Sequence, residues 1–190
     1  MLFKTPNNFK QSYADLKVPP TRPRVTFSID DGAENVYTVA KPILDKYGFV
    51  ATANIITNRI DVSGSLSSAQ ILDLRDSGWE IASHSVTHAK LADLTDPIEQ
   101  RNELKNSKVT LENLTGEKVY TFTAPSNSWN ADLAVIAKEE GYESVRSGYT
   151  STYYQTFPII NKLNYIRRSD SINSVSHTAS IIKGWIDEAF

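Results

Sequence analysis

The 190-residue sequence predicts an α/β fold in which helices wrap a parallel sheet or barrel. Strand-like and helix-like segments alternate along the chain, and short connections marked by glycine separate them. No linker-like or low-complexity stretch interrupts this pattern, and the length is within the usual range for one domain. We therefore predict one folded domain over 24–190, preceded by a proline-rich extended lead-in over 1–23.

The first half of the chain predicts three strands and the two helices between them. A strand over 25–29 is followed by a helix and by a second strand over 49–56. A serine cap in Ser67-Ser68 begins the next helix, and residues 79–83 form the third strand. The apolar residues of the first helix recur at helical spacing and are expected to face the core: Val36, Val39, Ala40, Ile43 and Leu44.

The second half continues the alternation. Its predicted elements are helices over 97–114, 131–140 and 176–189, and strands over 119–123, 142–146 and, more weakly patterned, 163–167. On the long helix, four apolar residues predict a buried stripe: Ile98, Leu104, Val109 and Leu111. In parallel α/β folds the loops after the carboxyl ends of the strands build the active site, so residues at those ends are the functional candidates.

Composition narrows the function classes. The formal net charge of −2 gives no electrostatic reason to expect nucleic acid as a partner. The absence of cysteine excludes disulfides, zinc-thiolate sites and thiol nucleophiles. No stretch is apolar enough to predict a membrane span, and the N terminus lacks the pattern of a signal peptide.

Asp30 and Asp31 lie at the mouth of the first strand, directly before Gly32. Two adjacent carboxylates repel each other, and a metal ion would compensate one of them while leaving the other free to act as a base. The alternative is a simple polar turn, for which these residue types are also typical. Further metal ligands elsewhere in the chain would decide between the two interpretations.

His84 and His88 supply such candidates after the third strand. Their spacing would place both imidazoles on one face of a single helical turn, which is typical of metal ligands. An isolated pair of this kind is more often two unrelated polar residues, but this pair accounts for two of only three histidines in the chain. One aspartate with two histidines leaves positions open for water and suits Zn, and also Co, Ni, Fe or Mn.

Three ordered motifs resemble those of the polysaccharide deacetylases, the carbohydrate esterases with a NodB-homology domain. They are Ser28-Ile29-Asp30-Asp31-Gly32, Ser83-His84-Ser85-Val86-Thr87-His88 and Phe122-Thr123-Ala124-Pro125. The resemblance implies a distorted (β/α) barrel with fewer than eight strand-helix units. It also implies metal-dependent removal of acetyl groups from acetylated glycans such as N-acetylglucosamine-containing polysaccharide or peptidoglycan, a substrate class that suggests the cell envelope or the extracellular space.

The resemblance also implies residue roles. Asp31, His84 and His88 match the metal ligands, and Asp30 matches the general base. The backbone N–H of Ser126 matches the group that stabilises the oxyanion.

The third motif departs from the family, because Thr123 stands where many members have an arginine near the base. Arg146, at the end of a later strand, is the candidate substitute, although it could equally be an ordinary ion-pair residue. The family also places a general-acid histidine after a final strand. His177 is the remaining histidine, and its position near a helix start fits a cap or surface role better. We therefore expect an open C-terminal barrel edge, at which the chain could self-associate.

Trp129 lies in a polar loop and is a candidate for stacking on a sugar ring, or else packs within the loop. Two other functions remain open at this point. One is a non-catalytic glycan-binding or assembly module with the same fold. The other is a hydrolase of small amides or cyclic imides.

Overall fold

The computed structural model describes residues 27–147 and the backbone of one further strand. The strands are Ser28–Ile29 (β1), Thr52–Ile55 (β2), Glu80–Ser83 (β3), Thr121–Thr123 (β4), Ser144–Ser147 (β5) and Asn164–Arg167 (β6). The helices are Lys41–Tyr47 (α1), Ser68–Asp76 (α2), Pro97–Thr115 (α3) and Ala131–Glu139 (α4).

The six strands form one parallel sheet in which each strand pairs with the next along the chain. This sequential order is that of a barrel wall, whereas the order of a doubly wound sheet reverses at a switch point. The type and order of the predicted elements are therefore correct from β1 to β6. The lead-in over 1–23, the helix over 176–189 and the C-terminal barrel edge lie outside the described residues.

The two faces of the sheet differ in chemistry. On the outer face, Ala53, Ile81 and Val145 belong to a buried apolar core with residues of the helices. The inner face carries polar side chains that bond from strand to strand: Thr52 and Thr121 both donate to Glu80, at 2.7 and 2.5 Å. The helices thus pack on one side of the wall, and polar groups line the other.

The first helix does not bury all its predicted residues. Val36 and Leu44 reach the core, whereas Val39 and Ile43 are 55% and 54% exposed. The chain enters α1 through a stretch of π-helix at Val36–Ala40. Because π-helical hydrogen bonds span five residues instead of four, the angular spacing there differs from the α-helical spacing that the prediction assumed.

The predicted stripe of α3 is correct in part. Leu104 and Leu111 are fully buried, but Ile98 and Val109 are exposed. The buried face also carries Gln100, Ser107 and Thr115, which continue the leucine spacing. Ile98 and Val109 each lie two residues from a member of this stripe, which is about 200° around an α-helix.

The bounds of the described helices also fit their sequence signals. Asp96 accepts a hydrogen bond from the backbone N–H of Ile98 at the start of α3, and Gly116 ends that helix in the left-handed conformation. Within residues 27–147, no helix is long and apolar enough to cross a membrane.

Candidate active site

The functional candidates lie at the carboxyl ends of neighbouring strands. Asp30 and Asp31 follow β1, and His84 follows β3. The loop that begins at Pro125 follows β4, and Arg146 is the third residue of β5. The sequential order of the sheet brings these ends to one rim.

Asp31, His84 and His88 form a cluster whose ligand atoms all lie within 4.8 Å of one another. Asp31 Oδ1 is 3.4 Å from His84 Nε2 and 3.3 Å from His88 Nε2. Ligands about 2.0–2.1 Å from a tetrahedral zinc ion would be roughly 3.3–3.4 Å apart, so two of the three separations match such a site. Two imidazoles and a carboxylate are also ligand types that suit a divalent transition metal.

The surroundings of His84 favour the tautomer and the neutral form that a metal ligand requires. His84 Nδ1 donates to the carbonyl oxygen of Thr123 at 2.8 Å, which leaves the lone pair of Nε2 directed at the cluster. Burial lowers the pKa of the His84 imidazole below its ordinary value, so the neutral form that binds metal is favoured.

The loop between the two histidines is not the helical turn that their spacing suggested. Ser85 and His88 both adopt the left-handed conformation, with φ of 66° and 69°. The Ser85 hydroxyl accepts a hydrogen bond from the backbone N–H of His88 at 2.9 Å. The imidazoles meet edge to face, with ring centroids 4.9 Å apart, because of this loop and not because of helical periodicity.

Asp30 faces a different set of partners. Its Oδ1 accepts a hydrogen bond from Asn54 Nδ2 at 2.9 Å and forms an ion pair with the guanidinium of Arg146. Asn54 is fully buried, and its Oδ1 accepts a hydrogen bond from the Thr123 hydroxyl at 2.8 Å. Thr123 therefore contacts the amide that holds Asp30, while the cation comes from the next strand.

Sequence reasoning missed Asn54. The signal was a polar residue at every second position of β2, Thr52-Ala53-Asn54-Ile55, which marks a strand with one polar face. Because Asn54 lies in the interior of a short strand, its amide was not connected with the acids 24 residues earlier.

The loop after β4 contains the two remaining candidates. Ser126 is exposed and left-handed, with φ of 51°, in the turn Pro125–Asn127. Trp129 is 7% exposed, and its ring lies 5.7 Å from that of Phe122. This burial favours the packing alternative for Trp129 over stacking on a sugar. His177 lies outside the described residues.

A family model described as polysaccharide deacetylase matches residues 17–145 of this chain. The chain belongs to the polysaccharide deacetylase family. Among curated proteins, it is 30% identical over 124 residues to YxkH of Bacillus subtilis (strain 168), whose name assigns it to the same family. That match covers 65% of this chain and 44% of YxkH.

Solved structures of deacetylases share the fold. Streptococcus pyogenes deacetylase PplD, determined in complex with acetate, is 28% identical with a TM-score of 0.66. The match covers 76% of this chain and 62% of PplD. A de-N-acetylase from Aggregatibacter actinomycetemcomitans, at 20% identity, shows the fold alone, with a TM-score of 0.67 over 85% of this chain and 74% of that one.

These comparisons confirm the (β/α) barrel class and the family that the three motifs indicated. They also show that the chain spans less than two thirds of the length of YxkH and of PplD.

Proposed function

We propose that this polysaccharide deacetylase domain is a metal-dependent hydrolase that removes acetyl groups from N-acetylglucosamine-containing polysaccharide or peptidoglycan. The observation that carries the proposal is the pairing of a three-ligand cluster, Asp31 with His84 and His88, with a second carboxylate, Asp30, held separately. If Asp30 and Asp31 formed only a polar turn, neither the histidines beside Asp31 nor the partners of Asp30 would be expected.

Asp31, His84 and His88 would hold the metal. Their nitrogen and oxygen atoms suit zinc first, with cobalt, nickel, iron or manganese as alternatives. Three protein ligands leave a position open, as in catalytic sites, and the side chain of Asp31 is 53% exposed at the rim. When bound, such a metal polarises an acetyl carbonyl and increases the acidity of a coordinated water.

Asp30 would act as the general base. Its contacts with Asn54 and Arg146 restrain Oδ1 and therefore the plane of the carboxylate, so the other oxygen, Oδ2, would accept the proton of the attacking water. The backbone N–H of Ser126 would donate to the oxyanion as the acetyl carbon becomes tetrahedral. The exposed position of Ser126 in the loop after β4 supports this role.

Acetate release from N-acetylated chito-oligosaccharides tests the proposal. The metal-free chain should release little acetate, and addition of zinc or cobalt should restore release. Asp31→Ala should lose both metal and activity, whereas Asp30→Asn should bind metal and lose activity. A metal-loaded wild-type chain that releases no acetate from any acetylated glycan would contradict the proposal. Glycan binding without release would instead support a non-catalytic module.

A further inference from the structure

The side chain of Glu103, on α3, accepts three hydrogen bonds from the loop that carries His88. Its Oε2 accepts from the backbone N–H groups of Val86 and Thr87, at 2.8 and 2.9 Å. Its Oε1 accepts from the Thr87 hydroxyl at 2.7 Å. One carboxylate on a helix thus satisfies two consecutive backbone donors and one side chain of this loop.

The conformation of this loop requires external support. Ser85 and His88, on either side of the residues bound by Glu103, both have positive φ, a region that residues other than glycine populate sparsely. Such conformations persist only where the surroundings impose them. Here the support comes from two sides, because the turn after β2 also donates to the loop, from Thr57 N to Ser85 O at 3.1 Å.

We propose that Glu103 is a positioning residue that holds the loop in the conformation in which His88 faces Asp31 and His84. This inference rests on the proposed metal site. Two of the three contacts join α3 to the backbone N–H groups one and two residues before His88, and the third reaches the Thr87 hydroxyl. His88 Nε2 is 3.3 Å from Asp31 Oδ1. Without Glu103, the support from α3 would be lost and His88 could move out of the cluster, although the bond from Thr57 would remain.

Metal affinity of the folded chain, measured by competition between zinc and a chelator, tests this role without reference to activity. Glu103→Ala should weaken zinc binding by about 10–100-fold, the usual effect of removing a group that supports a ligand from behind. Glu99→Ala, which removes an exposed carboxylate one turn earlier on α3, is the matched control and should leave the affinity unchanged.

Glu103→Gln should keep most of the wild-type zinc affinity, because the proposed role depends on hydrogen bonds. If the role depended on negative charge, Glu103→Gln would bind zinc as weakly as Glu103→Ala. Its amide can present the carbonyl oxygen to the two backbone N–H groups and donate its NH₂ to the Thr87 hydroxyl. Thr87 is exposed, so Thr87→Ala should fold even if a Glu103 variant does not. It should weaken binding less than Glu103→Ala, and should have no further effect in the Glu103→Ala background.

The outcomes separate this inference from the proposed function. A wild-type chain that binds no zinc or cobalt would overturn the proposed function and this inference with it. Wild-type affinity in Glu103→Ala, or equal weakening in Glu99→Ala, would overturn this inference alone. So would a Glu103→Gln variant as weak as Glu103→Ala, because charge would then explain the effect.

Discussion

Replacement of Asn54 by leucine tests how the wall of the barrel holds the candidate base. Asn54 Nδ2 lies within hydrogen-bond distance of Ser28 Oγ, the Ile29 carbonyl and Asp30 Oδ1, at 2.8, 3.1 and 2.9 Å. Its carbonyl oxygen accepts from Thr123 at 2.8 Å. Leucine has the same branched arrangement of side-chain heavy atoms and removes every one of these bonds.

The loss of stability in Asn54→Leu should come mainly from the Thr123 hydroxyl. Ser28 is exposed and the Asp30 side chain is 36% exposed, so water can replace their lost partner. The Thr123 residue is only 2% exposed, and its hydroxyl would lose the bond to Asn54 without access to water. A buried polar group left without its partner costs about 1–3 kcal/mol. We expect Asn54→Leu to lower the free energy of unfolding by about 2 kcal/mol, or ~4–8 °C in Tm for a chain of this size.

Asn54→Leu should also lower activity, for a different reason from its effect on stability. Without the amide, the Asp30 carboxylate keeps Arg146 but can rotate, and a hydrogen bond to a charged group is worth about 1.5–3 kcal/mol. Metal-dependent acetate release should therefore fall by about 10–100-fold. Urea unfolding and acetate release, measured on the same preparation, give the two quantities.

The double variant Asn54→Leu/Thr123→Val separates the two effects. Valine has the shape of threonine without the hydroxyl, so about 1–2 kcal/mol of stability should return while activity stays low. Unchanged urea unfolding of Asn54→Leu would refute the stability argument. Recovery of acetate release in the double variant would refute the positioning argument, because Asp30 would still lack the amide.

Three further changes test other contacts. Arg146→Met should lower kcat for acetate release by about 10–100-fold with unchanged zinc affinity. Arg146→Lys keeps the charge beside Asp30 and should lower kcat less. Equal losses of kcat in the two variants would contradict the role of Arg146 in holding Asp30. A Cβ at Gly32 would lie 3.3 Å from a core side chain, whereas nothing lies within 4 Å of a Cβ at Gly116. In urea unfolding, Gly32→Ala should therefore lower the free energy of unfolding by at least about 1 kcal/mol more than Gly116→Ala. Equal losses of stability would refute this. Burial raises the pKa of the Tyr142 hydroxyl. Above about pH 10 the unfolded state therefore loses a proton that the folded state keeps. The free energy of unfolding should then fall by up to ~1.4 kcal/mol per pH unit. Tyr142→Phe should flatten this slope in urea titrations, and an unchanged slope would exclude Tyr142 as its source.

The positions of the candidate ligands could be predicted because they depend on strand ends. Each of Asp30, Asp31 and His84 directly follows a segment with a strand pattern, and parallel strands end at one rim. The helical turn predicted between His84 and His88 was wrong because spacing alone cannot reveal the positive φ of Ser85 and His88.

The partners that hold these residues could not be predicted from local pattern. Glu103 contacts the loop that carries His88 from 16 and 17 residues further along the chain, and Arg146 reaches Asp30 across 116 residues. Both residues are charged, and on a helix or at a strand end a charged residue is usually solvated. The role of Glu103 appears only when the fold brings α3 to the rim, whereas the departure in the third motif already makes Arg146 a candidate partner of Asp30.

The proposed division of roles between the adjacent carboxylates follows from the backbone at Asp31. Asp30 continues the inner-face alternation of β1 and bonds to Asn54, whereas Asp31 has φ of 73° and Gly32 has φ of 62°. Two consecutive left-handed residues turn the chain at once, so the Asp31 side chain meets His84 and His88 at the rim. Aspartate is among the few residues other than glycine that tolerate this conformation. An extended backbone at Asp31 would have pointed the two carboxylates to opposite faces of the sheet, and the left-handed turn is what lets both lie at the proposed site.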